Sequence, residues 1–404
     1  MEYSDDSNGD VGVSSVHACF NTLNSLSGVG ILAIPYALAS GGWISILFFF
    51  LIGATTWYTG LLLQRCLKLE PTTRSYPDIT YKAFGKKGRL LVSIFIYIEL
   101  YLVATAILIL EADNMSHMFP HAAIRFRGCF ILDKKNLFIV VASLIVLPTV
   151  WLETQVFLSY ISAGGILVSC ILVMSIFWIG AIEGVGFKNK GVLVNWPGIP
   201  TSVSLYLVCY TAHPVFPTIY NSMKNKNHFP KILFISFALS SMIYGVMAIF
   251  GYLMYGEEVQ SQITLNLPTH KVSAVIAIST TIVSPLTKYA LILSPIMEAI
   301  NTRLMKANYK RRSVRMLTGT GLVLGTILVA LVVPLFGYVM SLIGALLTSF
   351  TSIVFPCAIY LKISKGYRRC VEFESVVLVV IIAMGLVLMV TGTYSAIVGI
   401  IVHL

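Results

Sequence analysis

Eleven runs of apolar residues, each close to the length that crosses a bilayer, follow one another with short polar segments between them. A hydrocarbon core about 30 Å thick needs roughly 20 apolar residues per helix. The runs cover 17–39, 42–64, 88–112, 136–153, 156–181, 200–221, 231–255, 272–296, 315–335, 337–361 and 376–402. In lipid every backbone N–H and C=O must be satisfied inside the spanning element, so this succession predicts an all-α polytopic membrane protein with eleven transmembrane helices. Composition agrees: 11% of the 404 residues are charged and 57% hydrophobic, whereas a soluble domain keeps about a quarter charged.

The formal net charge of +11 would suit a nucleic-acid partner, but the basic residues sit in short segments between the apolar runs. Cytoplasmic membrane loops have that pattern, so the expected partner is the lipid bilayer and not nucleic acid. With the N-terminus in the cytoplasm, segments 65–89, 222–231, 297–315 and 362–375 share one side and carry twenty Lys and Arg, against seven on the other. The C-terminus then lies outside. The opening MEYSDDSNGD lacks the basic start and cleavage site of a signal peptide, so the first span is expected to insert uncleaved. Residues 1–16 read as a short acidic cytoplasmic tail and 17–404 as one transmembrane domain. Its halves are expected at about 17–181 and 200–361, with an extra helix at about 376–402. Residues 65–89 read as a basic loop, and the Asn114-Met115-Ser116 sequon lies so near the membrane edge that no glycan is expected. Seven cysteines without a CxxC pair give no support for a metal site or disulfide framework.

Two spans are interrupted. The first reads SGVGILAIPYA, with Gly28, Gly30 and Pro35; the sixth reads CYTAHPVFPTIY, with His213-Pro214 and Pro217. Glycine removes side chains from a turn, and proline cannot donate its N–H. Either stretch alone suits close helix packing or a simple kink. Spans 1 and 6 are five apart, so if spans 1–5 and 6–10 form inverted halves, the breaks occupy corresponding helices. Paired discontinuous helices mark the substrate site of secondary transporters. Freed N–H groups at a half-helix start favour a carboxylate and freed C=O groups a cation. A zwitterionic amino acid carries both complements.

Buried polar residues narrow the reading. Glu99 lies at the centre of span 3 and Lys288 deep in span 8. Charged groups at such depth face the protein interior and mark substrate or proton paths. Snorkelling of Lys288 would require a climb of about 12 Å along the helix, beyond ordinary reach. Glu99 also suits a carboxylic acid hydrogen-bonded between helices, and His213 a packed histidine beside a break. Glu111 and Asp113, at the outer end of span 3, read as interfacial or gating groups. His17 needs no special role. Ser162, Thr211, Ser284 and Thr287 are candidate cavity hydroxyls.

The segments NTLNSLSGVGILAIPYALASGGW, IYIELYLVATAILILEADNMSHMFP, LVCYTAHPVFPTIYNSM and SPLTKYALILSPIME resemble the amino acid/auxin permease family, especially its plant and fungal vacuolar amino acid transporter branch. The resemblance runs from about Ser15 to the last span. It implies an inverted five-plus-five arrangement plus one C-terminal helix, with substrate held at the breaks, here Ser27, Gly28, Val29 and Gly30, and Tyr210 to Val215 with Tyr210, Thr211 and His213. It also implies a cation position between the unwound part of span 1 and span 8. There Lys288 is expected to stand in for a coupling sodium ion beside the hydroxyls of Ser284 and Thr287, with Glu99 as the competing proton carrier and the two titrating as a coupled pair. Pro214 stands where the family often has a small residue and Ala212 where glycine is frequent, both at the side-chain pocket.

The expected function is amino acid transport by alternating access, coupled to protons, with a sodium-coupled carrier and then a channel as alternatives. A seven-span receptor does not fit an eleven-span count, and the isolated His213 gives little support to a membrane acyltransferase. No enzymatic activity and no cofactor are expected. The partners are an amino acid, protons and the bilayer, in a monomer. The vacuolar membrane is the expected location, with the plasma membrane as the alternative.

Overall fold

A computed structural model describes residues 12–121, 133–151, 164–304, 311–366 and 372–404. These are almost entirely helical. Among them, Val13 pairs with Met223 in an isolated bridge. In chain order the helices are α1 (Ser15–Leu26), α2 (Gly30–Gly41), α3 (Ser45–Leu69), α4 (Tyr76–Met118), α5 (Lys134–Trp151), α6 (Gly165–Ala181) and α7 (Ile199–Cys209). Then come α8 (Phe216–Ser222), α9 (Phe229–Tyr255), α10 (Val272–Leu304), α11 (Arg311–Val332) and α12 (Phe336–Leu342). A π-helical stretch, Ile343–Val354, follows α12, and α13 (Phe355–Gly366) and α14 (Glu372–His403) complete the order.

Eight helices or continuous helix runs are long and apolar enough to cross a bilayer, and α1 with α2, bent by 52°, makes a ninth, among the described residues. The expected count of eleven includes two runs that do not pass on length. The fifth is represented by α6, of 17 residues, its earlier part lying outside the described residues. The sixth is divided into α7 and α8 by its break.

Both interruptions form where the sequence loses side chains or N–H donors. The N–H of Ser27 still reaches Leu23 O, then Gly28 N–H turns back to Leu26 O at 2.8 Å, and α2 begins at Gly30. Pro35 lies inside α2, where its missing N–H leaves Ile31 O without its i→i−4 donor and loosens the helix just beyond the break. At the other break, Tyr210 and Thr211 close turns on Leu207 O and Val208 O, and a short 3-10 turn, His213–Val215, leads into α8. The two broken spans pack side by side, α2 against α7, with α9 against α1 and α2. Glycines permit the closest approaches. A Cβ at Gly344 would collide with the carbonyl oxygen of Ser204 on α7.

The basic segment read as a loop contains the beginning of α4. Ser75 and Asp78 form a reciprocal capping box, and Gly85, at φ 66°, kinks the helix before it enters the membrane run. An amphipathic stripe is present, with Tyr76, Ile79, Thr80 and Ala83 buried on one face, but the lysines and arginines around it masked it as a basic loop. Asn114 of the sequon is fully buried, its amide donating to Leu110 O and Gln262 Oε1.

Candidate functional site

A cavity of about 510 Å³ lies between the two breaks. Ser27, Gly28, Val29 and Gly30 line it from span 1, Thr211, Ala212 and Pro214 from span 6, and Ser284 and Lys288 from α10. Glu99 of α4 completes its charged lining, and most of the remaining wall is aliphatic. The cavity extends along Asn24 and Ser25 of α1, Val168 of α6 and Pro295 of α10. That is the end of the bundle at which α1 begins, called here the near end.

Span 1 offers two kinds of group. The ammonium of Lys288 donates to Ser27 O at 3.0 Å, and the hydroxyl of Tyr244 donates to Leu26 O. The carbonyl end of α1, the negative pole of its dipole, is therefore capped by one cation and one phenol. Across the break, the N–H groups that open α2 form the positive pole of its dipole, Leu32 N–H already turning back to Val29 O. Gly28 is exposed, and a Cβ built on it meets nothing within 4 Å, whereas one on Gly30 would lie 3.1 Å from Cys209 Sγ. The two glycines thus differ: Gly28 faces the cavity and Gly30 faces α7. Gly165 at the start of α6 makes room for Lys288, since its Cβ would stand 2.8 Å from Nζ.

Glu99 is held by the π-helical stretch. The Thr348 hydroxyl donates to Oε1 at 2.8 Å and that of Thr351 to Oε2 at 3.2 Å. Thr348 also meets the Thr211 hydroxyl at 2.9 Å, so a chain of hydrogen bonds runs from the span 6 break to Glu99. π-Helical turns are rare and concentrate at functional sites. Sequence reading missed Thr348 and Thr351. Their signal is the hydroxyl-rich TSFTS within an apolar run.

Three of the sequence-selected residues lie away from the cavity lining. The Tyr210 ring stacks on Phe237 and its hydroxyl meets Ser241 at 2.7 Å, leaving only its backbone at the break. His213 is buried, and its Nε2–H donates to Thr56 O at 3.1 Å, beside the Thr59 hydroxyl at 2.9 Å. A carbonyl can only accept, which fixes the tautomer. Thr287 donates to Ser284 O at 2.7 Å. Ser162 lies outside the described residues. No cluster of three or more metal-ligating side chains occurs among the described residues.

The opposite, far end is closed by the segment between α9 and α10. Gln262 is fully buried there, donating to Asp113 Oδ2 at 2.9 Å and accepting from Asn114 at 2.7 Å. Asp113 pairs with Lys135 at 2.5 Å, and the Lys135 ammonium also donates to Pro334 O at 2.5 Å. A Cβ at Gly337 would lie 2.9 Å from Ser261 Cβ, so this segment rests directly on α12.

The family model described as "Transmembrane amino acid transporter protein" matches residues 12–398. The chain is 49% identical to amino acid transporter AVT1J of Arabidopsis thaliana, over 97% of this chain and 93% of that one. It is 45% identical to amino acid transporter AVT1I of the same plant, over 96% and 95%. Among solved structures it resembles MhsT in complex with L-phenylalanine, with a TM-score of 0.57 at 12% identity, covering 94% of this chain and 98% of that one. At that identity the likeness is one of fold.

Proposed function

Because the chain belongs to the transmembrane amino acid transporter family, we propose that it moves amino acids across its membrane by alternating access, coupled to protons through Lys288 and Glu99. The observation that carries the coupling is the contact between the Lys288 ammonium and Ser27 O, at the carbonyl end of a half-helix that borders the cavity. A tethered ammonium supplies the charge of a monovalent cation with three donors. Protonated, it holds α1 against α10. On losing its proton it no longer bonds the carbonyl as a cation, and α1 is released to move. Proton binding and conformation are thereby linked.

The substrate reading follows from the poles of the breaks. An amino acid carboxylate is served by the N–H groups at the start of α2, around Val29 and Gly30, beside the open face of Gly28, whose own N–H turns back to Leu26 O. Its ammonium is served by the carbonyls that α7 leaves free near Tyr210 and Thr211. Ser284 adds a hydroxyl beside Lys288. Tyr210 and His213 act in this reading by shaping the break and not by touching substrate. The carrier works as a monomer within the bilayer, with its N-terminus cytoplasmic. The resemblance of its motif segments to the vacuolar branch favours the vacuolar membrane.

Purified protein in liposomes, given an imposed pH gradient and a panel of labelled amino acids, tests this. The expected result is saturable accumulation that collapses with a protonophore and shows counterflow. Uptake that requires sodium and ignores the pH gradient overturns the coupling, and flux without counterflow overturns the carrier.

A further inference from the structure

Glu111 lies one helical turn beyond Ile107 on α4. It continues the ridge of Glu99, Val103 and Ile107 that lines the cavity, since residues four apart share a helix face. The side chain is fully buried, and neither carboxyl oxygen has a hydrogen-bond partner among the described residues. Asn114 Oδ1 and Thr264 Oγ1, close in sequence to the two ends of the Asn114–Gln262 bond, are likewise buried without a partner.

Among the described residues, Glu111 has no counter-ion. The titratable groups carried at this level by elements packed on α4 are Lys134 and Lys135 of α5, Tyr338 of α12 and Lys271 ahead of α10. α4 itself adds Asp113 and His117. None reaches Glu111 by an ion pair or hydrogen bond. Lys135 is committed to Asp113, and His117 Nε2 meets Leu267 O at 2.9 Å. An acid with neither donor nor counter-ion, as Glu111 is among the described residues, is costly to hold inside a membrane. An apolar side chain would fill the same volume more favourably.

We propose that Glu111 is a proton-binding carboxyl on the far side of the cavity, exchanging its proton with the far-end solution when the Asp113–Gln262 latch opens. Glu99 serves the near side. The two lie about 18 Å apart along α4 at 1.5 Å per residue, and the cavity walls from Glu99 to Ile107 cover most of that distance. The step is a proton transfer alone: a carboxylate oxygen takes up H⁺ from solvent and later gives it up towards the cavity. Two ends of one path thus carry one acid each, so that a proton is held while either end is shut. The assignment rests on the proton-coupled reading above.

The test uses full-length protein in liposomes and the amino acid that the wild type accumulates best from the panel. Glu111→Gln keeps the volume and removes the exchangeable proton. It is expected to lower pH-driven accumulation at least tenfold while counterflow at equal pH stays within twofold of wild type. Accumulation within twofold of wild type overturns the assignment, as does equal loss of counterflow by protein that remains monodisperse. Should Glu111→Gln not fold, Glu111→Asp keeps the acid in a shifted position. It is expected to move the pH of half-maximal accumulation, and an unmoved profile overturns the assignment. A wild type that ignores the pH gradient removes the coupling itself, an outcome distinct from failure at Glu111.

Discussion

Lys288 and Ser27 stand 261 positions apart in the chain and are joined by one hydrogen bond of 3.0 Å, from the ammonium on α10 to the carbonyl that ends α1. The bond places a positive charge against the negative pole of a half-helix, an arrangement worth up to about 2 kcal/mol where it is partly buried. It also ties α1 to α10 beside the near end of the cavity.

Removing that charge should uncouple the cycle. Lys288→Ala is expected to abolish accumulation driven by a pH gradient while leaving measurable counterflow at equal pH. Lys288→Arg keeps a charge that does not leave and is expected to slow both by holding one conformation. Paired accumulation and counterflow assays on each variant check this. Wild-type accumulation by Lys288→Ala would sink the coupling role.

The two break glycines should fail differently. Gly28→Val adds a branched side chain to open cavity, so the variant is expected to fold with wild-type thermal stability and to lose transport. Gly30→Ala presses on Cys209 Sγ at 3.1 Å, and overpacking of this kind costs about 1–3 kcal/mol. Its melting temperature is expected to fall, with partial recovery when Cys209→Ala is added. Detergent-solubilised thermal shifts separate the two cases, and equal destabilisation by both would contradict the geometry.

Thr348 supports Glu99 and Thr211 at once. Thr348→Val keeps the shape and removes the hydroxyl, leaving a buried carboxyl with one fewer donor at a cost of about 1–3 kcal/mol. The expected outcome is a displaced pH profile of uptake together with lower thermal stability, and Thr348→Ser is expected to restore both. A pH profile identical to wild type in Thr348→Val would argue that the contact is only structural.

Orientation can be read by labelling. Cysteines placed at Lys86 and Lys134, in a background lacking exposed cysteines, are expected to react with an impermeant maleimide from opposite sides, Lys86 from the cytoplasm. Modification of both from one side would refute the arrangement drawn from the charge asymmetry.

The breadth of what the sequence revealed follows from how each signal arises. Apolar runs report burial in lipid directly, so α5, α9 and α14 stand within about four residues of their expected limits, whereas α4 begins well before its apolar run and α10 ends well after. The breaks at Ser27–Val29 and Tyr210–Val215 were visible as glycine and proline. Depth within a run likewise exposed Glu99 and Lys288. Direction was another matter. Helical periodicity is lost inside a break, so nothing in the order of residues says that Tyr210 turns to Phe237 and His213 to Thr56, while Thr211 turns to the cavity. Hydroxyls are common in membrane helices because they can bond their own backbone, and many here do. That is why Thr348 and Thr351 did not stand apart until α4 was packed beside them. The helical start of α4 escaped notice because its buried stripe of Tyr76, Ile79, Thr80 and Ala83 is short and set among basic residues, while its capping box and glycine kink carry no apolar signal.

The last helix carries a different kind of consequence. α14 is a long apolar helix, yet Leu378, Gly385, Gly392 and Ala396 are its only fully buried residues. Gly385 fits against Ile353 and Val354, and Gly392 against Ala345, all in the π-helical stretch. Natural variation therefore meets two regimes on one helix. Along the narrow attached stripe, an added methyl group has nowhere to go. Glu374, which accepts from Arg65, and Ser395, which meets Thr201, add polar contacts beside that stripe. Over the outward-facing remainder, any residue that lipid tolerates serves, so that face can drift through generations while the transporter it borders keeps its trade.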